Sequence, residues 1–120
     1  MIQNQKTALI TGAASGVGFA IAKLCRTKGM HLVLLDIDRE NLAKAKTALV
    51  DMNARLQTES YVVDVADRSA WDAAIKQAVG LFPEIDLVVL NAGKSYKAAG
   101  QSDGGRLKTW LDPGYWSKVR

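Results

Sequence analysis

The sequence predicts an α/β fold in which helices cover both faces of a parallel, doubly wound sheet. Two observations support this prediction. Short apolar runs that are typical of buried strands alternate with longer segments whose apolar residues recur at helical spacing, and this alternation holds for about the first ninety residues. A glycine cluster separates the first apolar run from the first helical segment. For four strands joined by helical crossovers of one hand, we expect the strand order 3-2-1-4.

The first strand is expected at residues 7–10 and the first helix at residues 17–28, with Gly29 as the left-handed residue that ends the helix. One side of this helix should be basic, with Lys23, Arg26 and Lys28. The other side should face the core, and it carries Val17, Ala20, Ile21, Leu24 and Cys25.

The second strand is expected at residues 31–35, closing at Asp36, and the second helix at about residues 39–55. A third strand at residues 60–63 should end at Asp64, and Asp67 should cap a third helix. The fourth strand is expected at residues 87–90. The core-facing residues are Leu42, Ala45, Leu49 and Met52 in the second helix, and Trp71, Ala74, Ile75 and Ala78 in the third.

The chain divides at Gly93. Residues 1–93 form the predicted sheet-and-helix unit, whereas residues 94–120 are predicted to be a loop followed by the start of another helix, with Asp112 as its cap and Pro113 at its first position. Residues 1–93 contain ten basic and ten acidic residues, so the formal charge of +4 arises from residues 94–120. The basic residues there are scattered among glycines, so we expect no nucleic-acid binding.

Composition indicates the compartment. No apolar run approaches the ~20 residues needed to cross a bilayer, so no membrane partner is expected. Residues 1–6 lack the layout of a signal peptide. The single cysteine, Cys25, cannot form an internal disulfide, and it is expected to be inert packing. We therefore expect a cytoplasmic protein. His31 has no carboxylate or cysteine nearby in the sequence, so no metal site is predicted.

The strongest motif is the stretch of residues 11–18, Thr-Gly-Ala-Ala-Ser-Gly-Val-Gly, between the first strand and the first helix. Gly12 would let the chain turn off the strand, Gly16 would let the backbone approach a pyrophosphate, and Gly18 would let the helix pack closely. Free N–H groups and the positive end of the helix dipole would then hold phosphates, with Ser15 and Val17 in the same turn. This context predicts a Rossmann-type dinucleotide site rather than a simple turn.

Asp36 ends the second strand, eighteen positions after Gly18. A carboxylate there can accept hydrogen bonds from the adenosine ribose hydroxyls, and it would repel a 2′-phosphate. No basic residue stands in the glycine loop, and the nearest one after Asp36 is Arg39. The sequence therefore favours NAD over NADP. The alternative is a solvated aspartate that only leads into the next helix.

The glycine spacing, together with Asn91, Ala92 and Gly93 after the fourth strand, resembles the short-chain dehydrogenase/reductase family over nearly the whole chain. The resemblance implies that these three residues line and steady the cofactor. It also implies that Asp64 and Val65 hold the adenine. Leu90 stands where the family often has a first asparagine, a departure that affects one structural hydrogen bond.

The resemblance also implies hydride transfer between the nicotinamide and an alcohol or carbonyl substrate, usually in a homo-oligomer. Family members use a tyrosine as general acid/base, with a lysine four residues later, plus a serine and an asparagine. The three tyrosines here, Tyr61, Tyr96 and Tyr115, are followed four residues later by valine, glycine and valine. The sequence therefore predicts no catalytic residue in this chain.

Three interpretations remain open. The chain is the cofactor-binding, N-terminal fragment of an oxidoreductase, or a nucleotide-binding module without catalysis, or a non-functional truncation. The fragment is favoured because the last predicted helix has barely begun at Arg120 and has no C-cap.

Overall fold

A computed structural model describes residues 5–91. Four strands and three helices alternate along this part of the chain: β1 (Thr7–Thr11), α1 (Gly16–Thr27), β2 (His31–Asp36), α2 (Arg39–Met52), β3 (Thr58–Val62), α3 (Arg68–Leu81) and β4 (Leu87–Val89). All three strand pairings are parallel and the order is β3-β2-β1-β4, which confirms the predicted fold class and topology. The carboxyl ends of all four strands therefore lie at one edge of the sheet.

The core has two layers because alternate side chains of each strand point to opposite faces of the sheet. On one face, Leu9, Val33 and Leu35 pack with Trp71 and Ile75 of α3. The predicted inner face of α3 is confirmed in full, and the Asp67 side chain caps the helix by accepting the amide of Ala70. The other face carries α1 and α2 on a cluster that includes Ala8, Ile10, Leu32, Leu34, Ala22, Leu42 and Leu49.

The predicted orientation of α1 is wrong. Its buried residues are Gly18, Ala22, Cys25 and Arg26, whereas Val17 and Leu24 are 65% and 55% exposed. Gly18 sets the rotation of the helix, because it faces the backbone of Gly12, where a side chain would not fit. Gly29, with φ of 82°, follows the end of the helix as predicted.

Arg26 is only 2% exposed, although its charge suggested the solvent side of α1. Its guanidinium donates to the carbonyls of Leu49 and Gln57, at 2.9 Å each, and to that of Asn53 at 3.5 Å. These carbonyls belong to the last turn of α2 and the connection to β3, where the negative end of the helix dipole favours a cation. Burial lowers the pKa of Arg26 from its ordinary value.

Two predicted boundaries differ by more than one residue. The second helix ends at Met52 rather than at residue 55, and Met52 is 43% exposed rather than on the inner face. Strand β3 starts at Thr58, two residues earlier than predicted, because Thr58 and Glu59 pair with Leu32 and Val33 of β2. Pairing with β2 thus extends the strand beyond its apolar part.

His31 and Cys25 are structural, as predicted. The Nδ1 atom of His31 accepts the backbone N–H of Gln57 at 3.0 Å, and its buried ring lies 5.8 Å from that of Phe82. Cys25 is buried, and burial raises the pKa of its thiol. Within residues 5–91, no group of three or more His, Cys, Asp or Glu side chains could hold a metal ion. None of the described helices has the length and apolar character needed to cross a bilayer.

Candidate functional site

The glycine loop, residues 12–18, connects the carboxyl end of β1 to the first turn of α1. Two of its residues adopt left-handed backbone conformations, Gly12 with φ of 62° and Gly16 with φ of 61°. Residues with a Cβ avoid this region, so glycine is the favoured residue at both positions. The loop therefore turns at two points, one at each end of the segment that joins strand to helix.

Gly12 and Gly18 are required by close contact with the end of β4. A Cβ on Gly12 would overlap the carbonyl of Asn91, and a Cβ on Gly18 would overlap the carbonyl of Gly12. The Gly18 Cβ would also lie 2.8 Å from Nδ2 of Asn91. The two glycines thus bring the loop, the start of α1 and Asn91 into direct contact. The sequence predicts a turn at Gly12 and close helix packing at Gly18, but it does not predict this shared contact.

Thr11 fixes Asn91 from the other side, a role that the sequence analysis missed. Its Oγ1 accepts the backbone N–H of Asn91 at 2.7 Å and donates to the carbonyl of Val89 at 3.4 Å. The hydroxyl thus joins the ends of β1 and β4, eighty positions apart in the chain. A polar, β-branched residue at the last position of a buried strand was the available signal.

The start of α1 differs from the starts of the other two helices. Asp38 and Asp67 each accept an amide of the first turn of their helix, whereas the side chain of Ser15 makes no capping hydrogen bond. The first turn of α1, like that of α3, contains no acidic residue. A Cβ on Gly16 would meet nothing within 4 Å, so the backbone there is open. Uncapped amides at the positive end of a helix dipole, reached through open space, suit an anion.

Asp36 lies beside the glycine loop and contacts it. One carboxylate oxygen, Oδ2, accepts the backbone N–H of Ala14 at 2.9 Å, and the other, Oδ1, accepts that of Asp38 at 2.9 Å. The preceding loop amide, that of Ala13, donates to the carbonyl of Leu35 at 3.2 Å. The carboxylate predicted for ribose binding is thus held next to the segment predicted for phosphate binding.

The next residue, Ile37, is an apolar side chain that is 63% exposed at this edge of the sheet. No motif in the sequence points to Ile37. Its position directly after the strand-end aspartate was the only available signal.

Asp64 and Val65 follow β3 at the same edge of the sheet. Asp64 is exposed, and its Oδ1 accepts the N–H of Ala66 at 2.9 Å, while Val65 is half-buried against the α3 layer of the core. The backbone N–H of Val63 donates a hydrogen bond to the carbonyl of Asp36 at 3.0 Å, which joins the ends of β2 and β3.

The structure therefore brings the loop glycines, Asp36 and Asn91 together, and it places Asp64 and Val65 two strands from β1. Ala92 and Gly93, as well as the loop and helix predicted for residues 94–120, lie outside the described residues. Of the three tyrosines, Tyr61 is described. It packs against the α3 layer, and burial and the nearby Glu59 raise the pKa of its phenol. The described part of the site thus places open backbone at the start of α1 beside a carboxylate.

Comparison with known proteins agrees with this geometry. The family model described as short chain dehydrogenase matches residues 6–110. The chain is 34% identical over 94 residues to a fatty acyl-CoA reductase of Acinetobacter baylyi, a match that covers 78% of the chain and 31% of that protein.

Two solved structures superpose well. One is an NAD+-bound xylitol dehydrogenase, with a TM-score of 0.65, 32% identity and coverage of 69% of the chain and 31% of that protein. The other is the L-sorbose reductase of Gluconobacter frateurii complexed with NADPH and L-sorbose, with a TM-score of 0.71, 32% identity and coverage of 78% and 36%.

The chain spans between 30% and 40% of the length of three curated relatives that it matches. The matched region nevertheless includes most of the chain, every described strand and helix, and the glycine loop. The protein belongs to the short-chain dehydrogenase/reductase family of oxidoreductases.

Proposed function

We propose that this chain is the NAD-binding part of a short-chain dehydrogenase/reductase that interconverts an alcohol and a carbonyl compound. The observation that carries the proposal is the contact between the glycine loop and Asp36, because it combines an anion site and a ribose-type acceptor. When bound, the nicotinamide supplies the hydride chemistry, and the protein holds and orients it. The residues that would hold the cofactor are Gly12, Ser15, Gly16, Val17, Gly18, Asp36, Asp64, Val65, Asn91, Ala92 and Gly93.

The choice of NAD over NADP rests on charge. Similar proteins are divided, since one of the structures above is bound to NAD+ and the other to NADPH. In this chain, a 2′-phosphate would approach the Asp36 carboxylate, which is half-buried. Like charges at short range in a partly buried site repel by several kcal/mol at an effective dielectric constant of about 20. Arg39 is exposed and is the nearest basic residue in sequence after Asp36, and its charge is largely screened by solvent.

We expect the purified chain to bind NAD at least about tenfold more tightly than NADP, because 1.4 kcal/mol of repulsion is enough for that ratio. Titration calorimetry with both nucleotides measures it. In Asp36→Ala, the ratio should shift toward NADP, whereas Asp72→Ala, which removes an exposed carboxylate from α3, should leave the ratio unchanged. Equal affinities of the unaltered chain for the two nucleotides would contradict the assignment of NAD.

We also expect the 120-residue chain to show no dehydrogenase turnover, because no tyrosine is followed four residues later by lysine. The measurement is NADH formation from NAD with a panel of alcohols. Turnover that persists through repurification and depends on NAD would contradict the prediction.

For the whole enzyme, the proposal includes an alcohol or carbonyl substrate, a homo-oligomeric assembly and a cytoplasmic location. The single buried cysteine supports the cytoplasmic location.

A further inference from the structure

We infer that Asp36 has a second role, which rests on the proposed function: it positions the glycine loop before any nucleotide binds. Both of its carboxylate oxygens already accept backbone N–H groups, from Ala14 in the glycine loop and from Asp38 at the start of α2. We call this three-residue arrangement the Asp36 bridge. It joins the first and second crossover connections at the edge of the sheet where the cofactor would lie.

The bridge bears on loop shape because it holds Ala14, which lies between Ala13, buried in the core, and the exposed residues Ser15 and Gly16. Gly12 is fixed by Asn91, and Gly18 by the backbone of Gly12. Between them, Ser15 and Gly16 are exposed, and the Ser15 side chain makes no capping bond. In this stretch the amide of Ala13 donates to the carbonyl of Leu35, and that of Ala14 donates to the carboxylate of Asp36, so the second bond depends on the Asp36 side chain.

The two roles are compatible because a carboxylate has about four acceptor positions, of which the bridge uses two. Ribose hydroxyls would use the others. The consequence concerns cofactor specificity. Replacing Asp36 by an apolar or basic residue removes the charge that repels a 2′-phosphate, and it also removes the acceptor for the Ala14 amide. Such a variant would therefore repel NADP less, but its glycine loop would be less ordered.

Amide hydrogen exchange followed by NMR, without nucleotide, tests the inference. In the unaltered chain, the Ala14 amide should exchange more slowly than that of Ser15. In Asp36→Ala, exchange at Ala14 should accelerate by roughly ten- to a hundredfold, the range set by a hydrogen bond to a charged group. Asp36→Asn, which keeps the side-chain shape and one acceptor oxygen, should give a smaller increase and guards against a variant that fails to fold.

Asp67→Ala is the matched control, because it also removes a carboxylate that accepts a backbone N–H, at the start of α3. It should leave exchange at Ala14 within about twofold of the unaltered chain once its smaller global stability is taken into account. Unchanged exchange at Ala14 in both Asp36 variants would overturn the inference. Because no nucleotide is present, this outcome is separate from a failure to bind NAD.

Binding of inorganic pyrophosphate gives a second readout, since this anion has no ribose. Removing a negative charge should tighten its binding if the loop keeps its shape. We expect the opposite, a several-fold weaker affinity in Asp36→Ala and no change in Asp67→Ala. Equal or tighter binding in Asp36→Ala would overturn the inference. If the unaltered chain does not bind pyrophosphate, the phosphate role of the loop fails, and the exchange measurement still decides the role of the bridge.

Discussion

Replacing Gly12 by alanine is expected to destabilise the protein by about 3 kcal/mol or more. Two costs add. The left-handed backbone at Gly12 costs a residue with a Cβ about 1–2 kcal/mol. The new methyl group would also overlap the carbonyl of Asn91, so the loop and the end of β4 must move apart, and such overpacking typically costs about 1–3 kcal/mol. Small domains have only about 5–15 kcal/mol of stability, so this is a large fraction.

Gly16 provides a matched control. Its φ of 61° is nearly identical to that of Gly12, but a Cβ there would meet nothing within 4 Å. Gly16→Ala should therefore lose only the backbone cost, about 1–2 kcal/mol. Urea unfolding, with the free energy obtained by linear extrapolation, compares the two variants. If they lose the same stability, contact with Asn91 is not what requires glycine at position 12.

The second large effect is expected at Arg26. Arg26→Met keeps most of the apolar length of the side chain but removes the guanidinium that donates to the carbonyls of Leu49 and Gln57, of which the Gln57 carbonyl keeps the N–H of Leu32. Each hydrogen bond to a charged group is worth about 1.5–3 kcal/mol, and relief from burying the cation offsets part of that sum. We expect a net loss of about 2–3 kcal/mol, with the last turn of α2 losing protection first.

Arg55→Met is the control for this prediction, because Arg55 is exposed in the same connection between α2 and β3. It should change the free energy of unfolding by less than about 0.5 kcal/mol. The loss of stability in Arg26→Lys should lie between the losses in Arg26→Met and Arg55→Met. One ammonium group does not span two carbonyls as a planar guanidinium does. An Arg26→Met variant as stable as the unaltered chain would show that the buried cation is not a net stabilising element.

The parts of the fold that the sequence predicted well are those in which local and tertiary signals agree. In α3, the cap at Asp67 and the apolar spacing of Trp71, Ala74, Ile75 and Ala78 specify the same helix and the same face. The rotation of α1 could not be predicted by counting apolar residues, because a steric contact of Gly18 and a buried Arg26 determine it. Charge alone suggests exposure, whereas a guanidinium can be buried where it meets several carbonyls.

A similar division applies to the candidate site. The glycines and Asp36 could be selected because each fulfils a requirement that is visible locally, a turn or a strand-end carboxylate. Thr11 and Ala14 could not, because their partners lie 80 and 22 positions away and come close only through the order of the strands. Sequence spacing predicted which segments meet at the edge of the sheet, but it did not predict which atoms bond there.

The central claim is that NAD lies across the carboxyl ends of the strands, with its phosphates on the glycine loop. Its most direct test is an NMR titration of the labelled chain with NAD, following each backbone amide. We predict that the largest shifts fall on residues 12–18 and on Asp36 and Ile37, whereas the opposite end of the sheet, near His31 and Thr58, stays unchanged. Saturable binding whose shifts avoid the glycine loop, or no binding by a folded sample, would contradict the account.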